Sequence, residues 1–342
     1  MARIVFMGTP EFAVPVLDAL ANAHQVTGVV TQPDRPRGRG RRLAPSPIKQ
    51  VALERSLPLS QPQSLRTPEA VAQLAAWEPE VIVVAAFGQL LQQDVLDLPP
   101  HGCLNVHASL LPRWRGAAPI AAAILAGDEI TGVTIMRMDA GLDTGPILAQ
   151  REEPIRPDDT RATLGKRLAR LGAALLVETL PAYLAGVLLS RSQPEDGVIY
   201  AGQLRREDGL LDWSRSAVEL DRQIRAFTPW PGAFTTWRGR RLKVLRAVPL
   251  LGWQGEVPPG TVIALADGST EASTARLSSP KSELSRTSSA EALAEVGAAI
   301  ATSNGALCLE EVQLAGKRSM DIKAFLRGQR DFVGSRLGVA QE

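Results

Sequence analysis

The run Val81-Ile82-Val83-Val84-Ala85-Ala86 is continuously apolar and lies in the N-terminal half of the chain. Strands buried on both faces lose the alternation of polar and apolar residues, and they belong mainly to parallel sheets covered by helices. The wider apolar stretch, residues 81–91, is too short to cross a bilayer, which needs about 20 residues. The run therefore predicts a central strand of a buried parallel sheet.

The segments around this run alternate between strand and helix. Further strands are predicted at residues 3–7, 26–30, 104–106, 132–138 and 146–151. Helices are predicted after Thr9-Pro10, Ser46-Pro47 and Thr67-Pro68, because a hydroxyl side chain caps a helix and proline fits its first turn. A long helix is predicted over residues 159–184. The alternation indicates an α/β fold, with a Rossmann-like open, mostly parallel sheet and helices on both faces.

The pattern changes after about residue 190 to short runs separated by Gly and Pro. We predict a first domain at residues 1–190, a linker at 191–207 and a small OB-like β-barrel domain at 208–330. A helix is predicted at 217–227 and strands at 233–237, 242–248, 260–264 and 306–314. Residues 267–295 are rich in Ser, Thr, Ala and Glu, and we predict a disordered insertion in a barrel loop.

Bulk composition limits the function. The 342 residues suit about two domains. A net charge of only +2 means that any nucleic-acid partner would be bound by local patches. The two cysteines lie far apart, as in a reducing cytosol, and match no zinc spacing. The first turn, Gly8-Thr9-Pro10-Glu11-Phe12, lacks the glycine pattern of dinucleotide sites. No signal peptide is recognisable, and we expect a cytoplasmic protein without a metal.

Asn105 and His107 form the densest polar feature. They lie two residues apart on a predicted strand, so both side chains point the same way. Open α/β sheets bind ligands at the carboxyl ends of their strands. An amide and an imidazole there can donate hydrogen bonds to a developing oxyanion. His107 is one of three histidines, and a purely structural histidine is an equally good interpretation of this residue alone.

A second feature is the loop Met138-Asp139-Ala140-Gly141-Leu142-Asp143-Thr144-Gly145. Asp and Gly are ordinary turn residues, so a plain turn would explain the loop if it stood alone. A carboxylate beside His107 could orient the ring, stabilise its charged form or receive a proton. Asp143 is the candidate, although the sequence does not show that it lies near His107.

Two segments are strongly basic. Between Gln32 and Lys49 there are six basic residues and one acid. Residues 222–246 carry seven basic residues and no acid, with Trp230, Phe234 and Trp237 among them. Such segments suit nucleic acid, while a solvated charged loop is the alternative for the first. Trp230 and Phe234 are expected in the core. The candidate nucleic-acid-binding residues are Arg37, Arg39, Arg41, Arg42, Arg240, Arg241 and Lys243.

The run Asn105-Val106-His107-Ala108-Ser109-Leu110-Leu111-Pro112-Arg113-Trp114-Arg115-Gly116, with Asp143, resembles the folate-dependent formyltransferase superfamily. The resemblance implies that Asn105, His107 and Asp143 are the catalytic trio. It also implies that 10-formyltetrahydrofolate is the formyl-donor cosubstrate and that no metal takes part. The implied folate-binding residues are Ser109, Leu110, Leu111, Pro112, Phe87, Gly88, Asp139 and Gly141.

Three further runs are similar to methionyl-tRNA formyltransferases: Gly8-Thr9-Pro10-Glu11-Phe12-Ala13, Arg113-Trp114-Arg115-Gly116-Ala117-Ala118-Pro119-Ile120 and Pro229-Trp230-Pro231. This resemblance implies formylation of the α-amino group of methionyl-initiator-tRNA for translation initiation. The basic loop and the barrel would hold the tRNA, and we expect a monomer that does not bind membranes. The chain departs from the family in the long segment 267–295, and in Ala201-Gly202-Gln203-Leu204, where the family often carries lysine.

Two alternatives stay open at this point. One is another 10-formyltetrahydrofolate-dependent formyltransferase, acting on an amino-sugar nucleotide, or a 10-formyltetrahydrofolate hydrolase. The basic loop argues against both, because neither acts on a polynucleotide. The other is an RNA-binding module without catalysis, against which the presence of Asn105, His107 and Asp143 argues.

Overall fold

The computed structural model describes residues 1–37, 42–265 and 297–338, and its chain divides into two compact units. The first unit comprises Met1–Ala123, Asp128–Pro157 and Thr163–Gln203. The second comprises Leu204 onward, together with the short segments Ile124–Gly127 and Asp158–Ala162. The main division, after Gln203, falls inside the segment 191–207 that the sequence predicts as a linker.

The first unit is built on a seven-stranded sheet. The strands of the whole unit, seven of which form this sheet, are β1 (Arg3–Gly8), β2 (Gln25–Val30), β3 (Arg35–Arg37), β4 (Arg42–Ala44), β5 (Leu59–Ser60), β6 (Val81–Ala85), β7 (Cys103–His107), β8 (Arg115–Gly116), β9 (Ile130–Arg137), β10 (Ile147–Pro154) and β11 (Tyr200–Ala201). The sheet order is β10-β9-β7-β6-β1-β2-β5, and only β9 runs antiparallel to its neighbours. All residues of β6 are buried. Successive strand residues face opposite sides, so both faces of the sheet are covered, which confirms the predicted α/β sheet.

Helices connect these strands. They are α1 (Val14–Ala23), α2 (Pro47–Glu54), α3 (Pro68–Ala76), α4 (Gln93–Leu96), α5 (Pro119–Ala126) and α6 (Arg161–Leu184). The predicted caps of α2 and α3 are confirmed: Ser46 Oγ accepts from the Lys49 amide at 3.0 Å, and Thr67 Oγ1 accepts from the Ala70 amide at 3.3 Å. The predicted cap at Thr9 is wrong. Its hydroxyl donates to the Phe87 carbonyl at 3.1 Å and accepts from the Gln32 amide at 3.4 Å, so partners from distant segments use the oxygen that would have capped the helix.

The second unit is an antiparallel β domain. Its elements are α7 (Ala217–Phe227), β12 (Ala233–Trp237), β13 (Arg240–Leu250), β14 (Val262–Leu265), β15 (Gly297–Ala301), β16 (Ala306–Leu314), β17 (Met320–Asp321) and α8 (Ile322–Gly328). The strand order is β12-β13-β16-β15-β14, with β17 beside β16. The predicted bounds of α7, β12 and β16 are confirmed. Sequence reasoning missed β15, β17 and α8. For α8 the signal was Asp321, whose side chain caps the helix by accepting from Lys323 N at 2.8 Å. Residues 267–295, the predicted insertion, lie outside the described residues.

The core of the second unit contains an aromatic triangle. Phe332 lies edge-to-face with Trp237 at a centroid distance of 5.2 Å and with Phe325 at 5.0 Å. Phe234 is buried, as predicted, but the prediction for Trp230 is wrong because its side chain is 48% exposed. Trp230 lies between Pro229 and Pro231, outside the helices and strands, so neither a strand face nor a helix face turns it inward.

Helix α7 begins with a reciprocal cap that makes its stability sensitive to acid. The Ser216 side chain accepts from the Glu219 amide, and the Glu219 carboxylate accepts from the Ser216 amide at 3.0 Å and from its hydroxyl at 2.7 Å. These bonds from Ser216, followed by one from Arg215, lower the pKa of Glu219 to about 2. A lowered folded-state pKa stabilises the fold above the ordinary carboxyl pKa and loses that contribution as pH falls.

We therefore expect Glu219→Ala to lower the free energy of unfolding at neutral pH. The difference from the unmodified protein should shrink as the pH falls from about 4.5 to about 2, where Glu219 becomes protonated. Denaturant titrations across that range measure the difference. The matched control is Glu256→Ala, at an exposed position. A Glu219→Ala deficit that stays constant with pH would contradict the capping account.

Candidate active site

The three residues predicted as a catalytic trio lie together. Asn105 and His107 stand on β7, and Asp143 lies in the loop between β9 and β10. Asn105 Nδ2 donates to Asp143 Oδ1 at 3.2 Å, and His107 Nδ1 lies 3.6 Å from Asp143 Oδ2. The structure thus supplies the proximity that could not be obtained from the sequence.

The antiparallel position of β9 beside β7 accounts for this meeting. Asn105 is in register with Met136, and the Met138 amide donates to the Cys103 carbonyl at 2.7 Å. The chain therefore leaves β9 beside the start of β7. It then turns back over residues 139–146 before it begins β10 at Ile147. That return brings Asp143 to the two side chains on β7.

The loop that carries Asp143 is held tightly. Asp139 Oδ1 accepts from the Gly141 amide at 3.0 Å and from Thr144 Oγ1 at 2.6 Å. A Cβ on Gly145 would lie 1.9 Å from the Arg137 carbonyl oxygen, so only glycine fits there. Asp143 itself has φ of 53°, a conformation that is uncommon for residues other than glycine.

The ring of His107 is oriented by a backbone carbonyl. Its Nε2 lies 2.9 Å from the Trp114 carbonyl oxygen, and a carbonyl can only accept, so Nε2 carries a proton. Nδ1 therefore faces Asp143. Trp114 is held in turn by Asp128, which accepts from its indole Nε1 at 2.7 Å and from Arg113 at 2.9 and 2.5 Å. The Asp128 contact raises the pKa of Arg113.

Asp128 is a residue of the site's surroundings that sequence reasoning missed. It fixes Trp114, whose carbonyl orients His107. The available signal was weak, because Asp128 is one of two consecutive acids just after the apolar helix α5. Its partners are known only once the chain is folded.

The Asp143 carboxylate has one further donor. The Gly116 amide donates to Oδ2 at 2.8 Å. Gly116 has φ of 107°, and a Cβ there would lie 2.7 Å from the Ala201 carbonyl oxygen, so the position requires glycine. Asn105 gives one of its two amide hydrogens to Asp143. The second amide hydrogen is a donor that a reacting group could use.

The eight predicted folate-binding residues lie in the loops that follow β6, β7 and β9, and they differ in exposure. Gly88, Asp139 and Gly141 are exposed, while Leu110 and Pro112 are half-buried. Ser109, Leu111 and Phe87 are buried, and the Ser109 hydroxyl donates to the Arg113 carbonyl at 2.6 Å. The side chains of these three are packed inside the protein, so they offer little accessible surface in this structure.

Comparison with known proteins decides the family. The formyl transferase model matches residues 2–180, and the formyl transferase C-terminal domain model matches 203–277 and 270–330. A methionyl-tRNA formyltransferase of Roseiflexus sp. is 46% identical over 99% of this chain and 96% of its own length. One from Myxococcus xanthus is 47% identical over 99% and 98%. The chain belongs to the methionyl-tRNA formyltransferase family.

A solved structure shares the fold of this formyltransferase. It is the N-formyltransferase from Helicobacter canadensis in complex with folinic acid and dTDP-3-aminofucose. The two chains superpose with a TM-score of 0.59 at 14% identity, over 90% of this chain and 99% of the other. At that identity the similarity concerns architecture alone.

The first basic segment of this formyltransferase, Gln32–Lys49, contains two short strands, β3 and β4. They pair antiparallel and form the basic hairpin. Arg39 and Arg41 lie outside the described residues, as do the side chains of Arg37 and Arg42. Lys49 forms an ion pair with Asp34 at 2.7 Å. A hydrogen bond from Gln61, followed by this contact with Lys49, lowers the pKa of Asp34. Lys49 is therefore partly neutralised by the single acid of the segment.

The positive charge of the second basic segment is partly compensated by acidic residues that lie outside it. Acids elsewhere in the chain pair with three of its charges: Asp221 with Arg225, Asp331 with Arg238 and Glu310 with Arg246. On β13, Arg240 donates to the Ala315 carbonyl at 2.7 Å, and the Arg241 guanidinium lies 3.9 Å from the Phe234 ring centroid. Arg241 and the half-buried Lys243 are two residues apart, hence on one face of the strand.

No group of three or more His, Cys, Asp and Glu side chains in the described part of the chain is arranged to hold a metal ion. None of the helices described is both long enough and apolar enough to span a membrane.

Proposed function

We propose that this protein transfers a formyl group from 10-formyltetrahydrofolate to the α-amino group of methionyl-initiator-tRNA, for translation initiation in the cytoplasm. The observation that carries the proposal is the contact of Asn105, His107 and Asp143 at the end of β7. It occurs in a chain that matches methionyl-tRNA formyltransferases over 99% of its length. We propose a monomer, since one chain supplies the whole trio.

Asn105 is proposed to stabilise negative charge. When an amine attacks a formyl carbon, charge builds on the formyl oxygen. Asn105 Nδ2 donates one hydrogen to Asp143, which fixes the amide plane and leaves the second hydrogen for that oxygen. A donor that is already oriented needs no reorganisation during the reaction, and this is why such donors contribute strongly to rate.

His107 and Asp143 are proposed to handle the proton. The attacking nitrogen must lose a proton and the leaving nitrogen must gain one. Nε2 of His107 is committed to the Trp114 carbonyl, so Nδ1 is the ring atom available for exchange. Asp143 Oδ2 lies 3.6 Å from Nδ1, so a carboxylate stands beside the ring atom that is proposed to exchange the proton.

The folate is proposed to lie against the loops that surround the trio. Gly88 and Gly141 offer exposed backbone, and Leu110 and Pro112 offer partly exposed apolar surface, as suits a flat ring system. Ser109, Leu111 and Phe87, which are buried, are proposed to form the inner layer of the same loops.

The tRNA is proposed to contact the basic hairpin and β13. The hairpin contribution of Arg37, Arg39, Arg41 and Arg42 rests on the sequence and the family. On β13 the proposed contacts are Arg240, Arg241 and Lys243, because the described structure shows no ion pair for these three, whereas Arg238 and Arg246 are paired with acids. Cations without an acidic partner can neutralise phosphates at lower cost.

The double variant Arg241→Glu/Lys243→Glu is expected to weaken tRNA binding and to reduce its dependence on salt. Each lost phosphate contact should flatten the slope of log K against log salt by about 0.7 to 0.9. Filter binding at several salt concentrations measures the slope. The double variant Arg238→Glu/Arg246→Glu is the charge-matched control, because it changes net charge equally at ion-paired positions. Equal slopes in the two variants would refute the assignment of these contacts.

The decisive experiment for the function mixes purified protein with 10-formyltetrahydrofolate and charged initiator methionyl-tRNA. Formyl-methionyl-tRNA is then measured, with uncharged tRNA plus free methionine as the control. Product from the charged tRNA alone would support the proposal. Hydrolysis of the folate without transfer would favour a hydrolase, and tRNA binding with neither reaction would favour an RNA-binding module.

A further inference from the structure

The chain that follows α6 is built into the site. The amide and carbonyl of Arg191 bond to those of Ile147, at the start of β10, at 2.9 and 2.8 Å. Further along, Tyr200 and Ala201 form β11, which pairs in parallel with β8. Residues 191–201, which the sequence predicts as part of a linker, are therefore attached to the N-terminal unit at both ends. Gln193 lies between the attachments and is half-buried.

Gln193 uses both ends of its amide next to the trio. Its Nε2 donates to the carbonyl oxygens of Asp143 and Gly145, at 2.8 Å each. Its Oε1 accepts from Arg115 Nε at 3.0 Å and from Arg115 Nη2 at 2.7 Å. The residue that follows Arg115, Gly116, donates its amide hydrogen to the Asp143 carboxylate at 2.8 Å. One side chain thus links the backbone of Asp143 to the strand that binds its carboxylate.

We infer that Gln193 is a positioning residue for Asp143. Asp143 adopts a left-handed φ of 53°, and such conformations persist only where the surroundings hold them. Gln193 bonds to the carbonyl of Asp143 and to that of Gly145, so it restrains the loop on the C-terminal side of Asp143. The distances of the carboxylate from Asn105 and His107 depend on that restraint. The expected effect of Gln193 on the reaction rate rests on the proposed formyl transfer.

The chemistry of an amide explains why glutamine suits this position. Only a group that both donates and accepts can bind two carbonyls and a guanidinium at once. A glutamate has nearly the same shape and would keep the contact with Arg115, but it cannot donate to the carbonyls of Asp143 and Gly145. Gln193→Glu therefore retains packing and removes the restraint, which separates positioning from simple filling of space.

The kinetic test compares kcat and KM in the full-length protein. Gln193→Ala and Gln193→Glu are each expected to lower kcat by about 10²-fold with KM for tRNA nearly unchanged, because small displacements of reacting groups cost about that much. Gln73→Ala, at an exposed position on α3, is the matched control and should behave as the unmodified protein.

A second comparison asks whether Gln193 acts through Asp143. In an Asp143→Ala background, Gln193→Ala should lower kcat by less than about twofold, because residues that act as a unit are not additive. The same loss in both backgrounds would overturn the inference, as would full activity of Gln193→Glu. Circular dichroism of each variant checks that the fold is retained.

Hydrogen exchange tests the positioning without any reaction. Gln193→Ala should speed exchange of the Gly116 amide, whose acceptor is the Asp143 carboxylate, while the amides of β6 exchange as slowly as before. Unchanged exchange at Gly116 would overturn the inference. If the unmodified protein transfers no formyl group, the proposed function fails, and the exchange result still decides the role of Gln193.

Discussion

Replacing His107 by alanine is expected to lower the rate of formyl transfer by about 10³-fold, within the range found for lost acid–base groups and oxyanion donors. The ring is held by the Trp114 carbonyl at 2.9 Å and faces Asp143 at 3.6 Å. Its removal takes away the proposed proton carrier. The Asp143 carboxylate also loses its contact with the imidazole ring. Binding of tRNA should be nearly unaffected, because the proposed tRNA contacts lie on other residues.

Single-turnover kinetics with formylated and unformylated methionyl-tRNA resolved on a gel measure this effect. His101→Ala is the matched control, because His101 lies just before β7 and outside the trio. Its ring packs edge-to-face against Tyr183, with the ring centroids 6.3 Å apart. The control should retain most of its activity. A His107→Ala protein that is folded and transfers formyl within a few-fold of the unmodified rate would show that the trio is wrongly assigned.

Phe332→Ala is expected to lower the free energy of unfolding of the C-terminal domain by about 3 to 5 kcal/mol, as for other large aromatic residues truncated in a core. Phe332 is completely buried and packs edge-to-face against Trp237 and Phe325, at 5.2 and 5.0 Å. Such pairs contribute beyond their buried area. The cost thus combines lost burial, lost ring contacts and the cavity that remains.

Urea titrations followed by fluorescence measure the change in stability. Leu251→Ala is the control, because Leu251 is an apolar side chain that is 66% exposed, and it should change stability by less than about 0.5 kcal/mol. A loss below about 1 kcal/mol for Phe332→Ala would mean that the aromatic triangle collapses around the cavity and does not hold the domain together.

Elements with a strong local pattern were predicted from the sequence. The apolar run 81–86 contains β6 (Val81–Ala85), Ser46 and Thr67 cap α2 and α3, and the helix predicted over residues 217–227 is α7. Each of these signals lies within one element, so burial and capping can be read from neighbouring residues. The predicted cap at Thr9 was wrong because groups from distant segments bind its hydroxyl. Strand β15 was missed because its sequence carries no usable local signal.

The sequence by itself showed that Asn105 and His107 lie two residues apart on one strand. It also indicated the family to which this pair of residues points. Only the tertiary structure decided that Asp143 contacts them, that Trp114 sets the ring orientation, and that Gln193 restrains the loop from 50 residues away. Periodicity and capping act over a few residues of chain. Contacts between loops depend on strand order and on hydrogen bonds between distant segments, and these exist only after the sheet has formed.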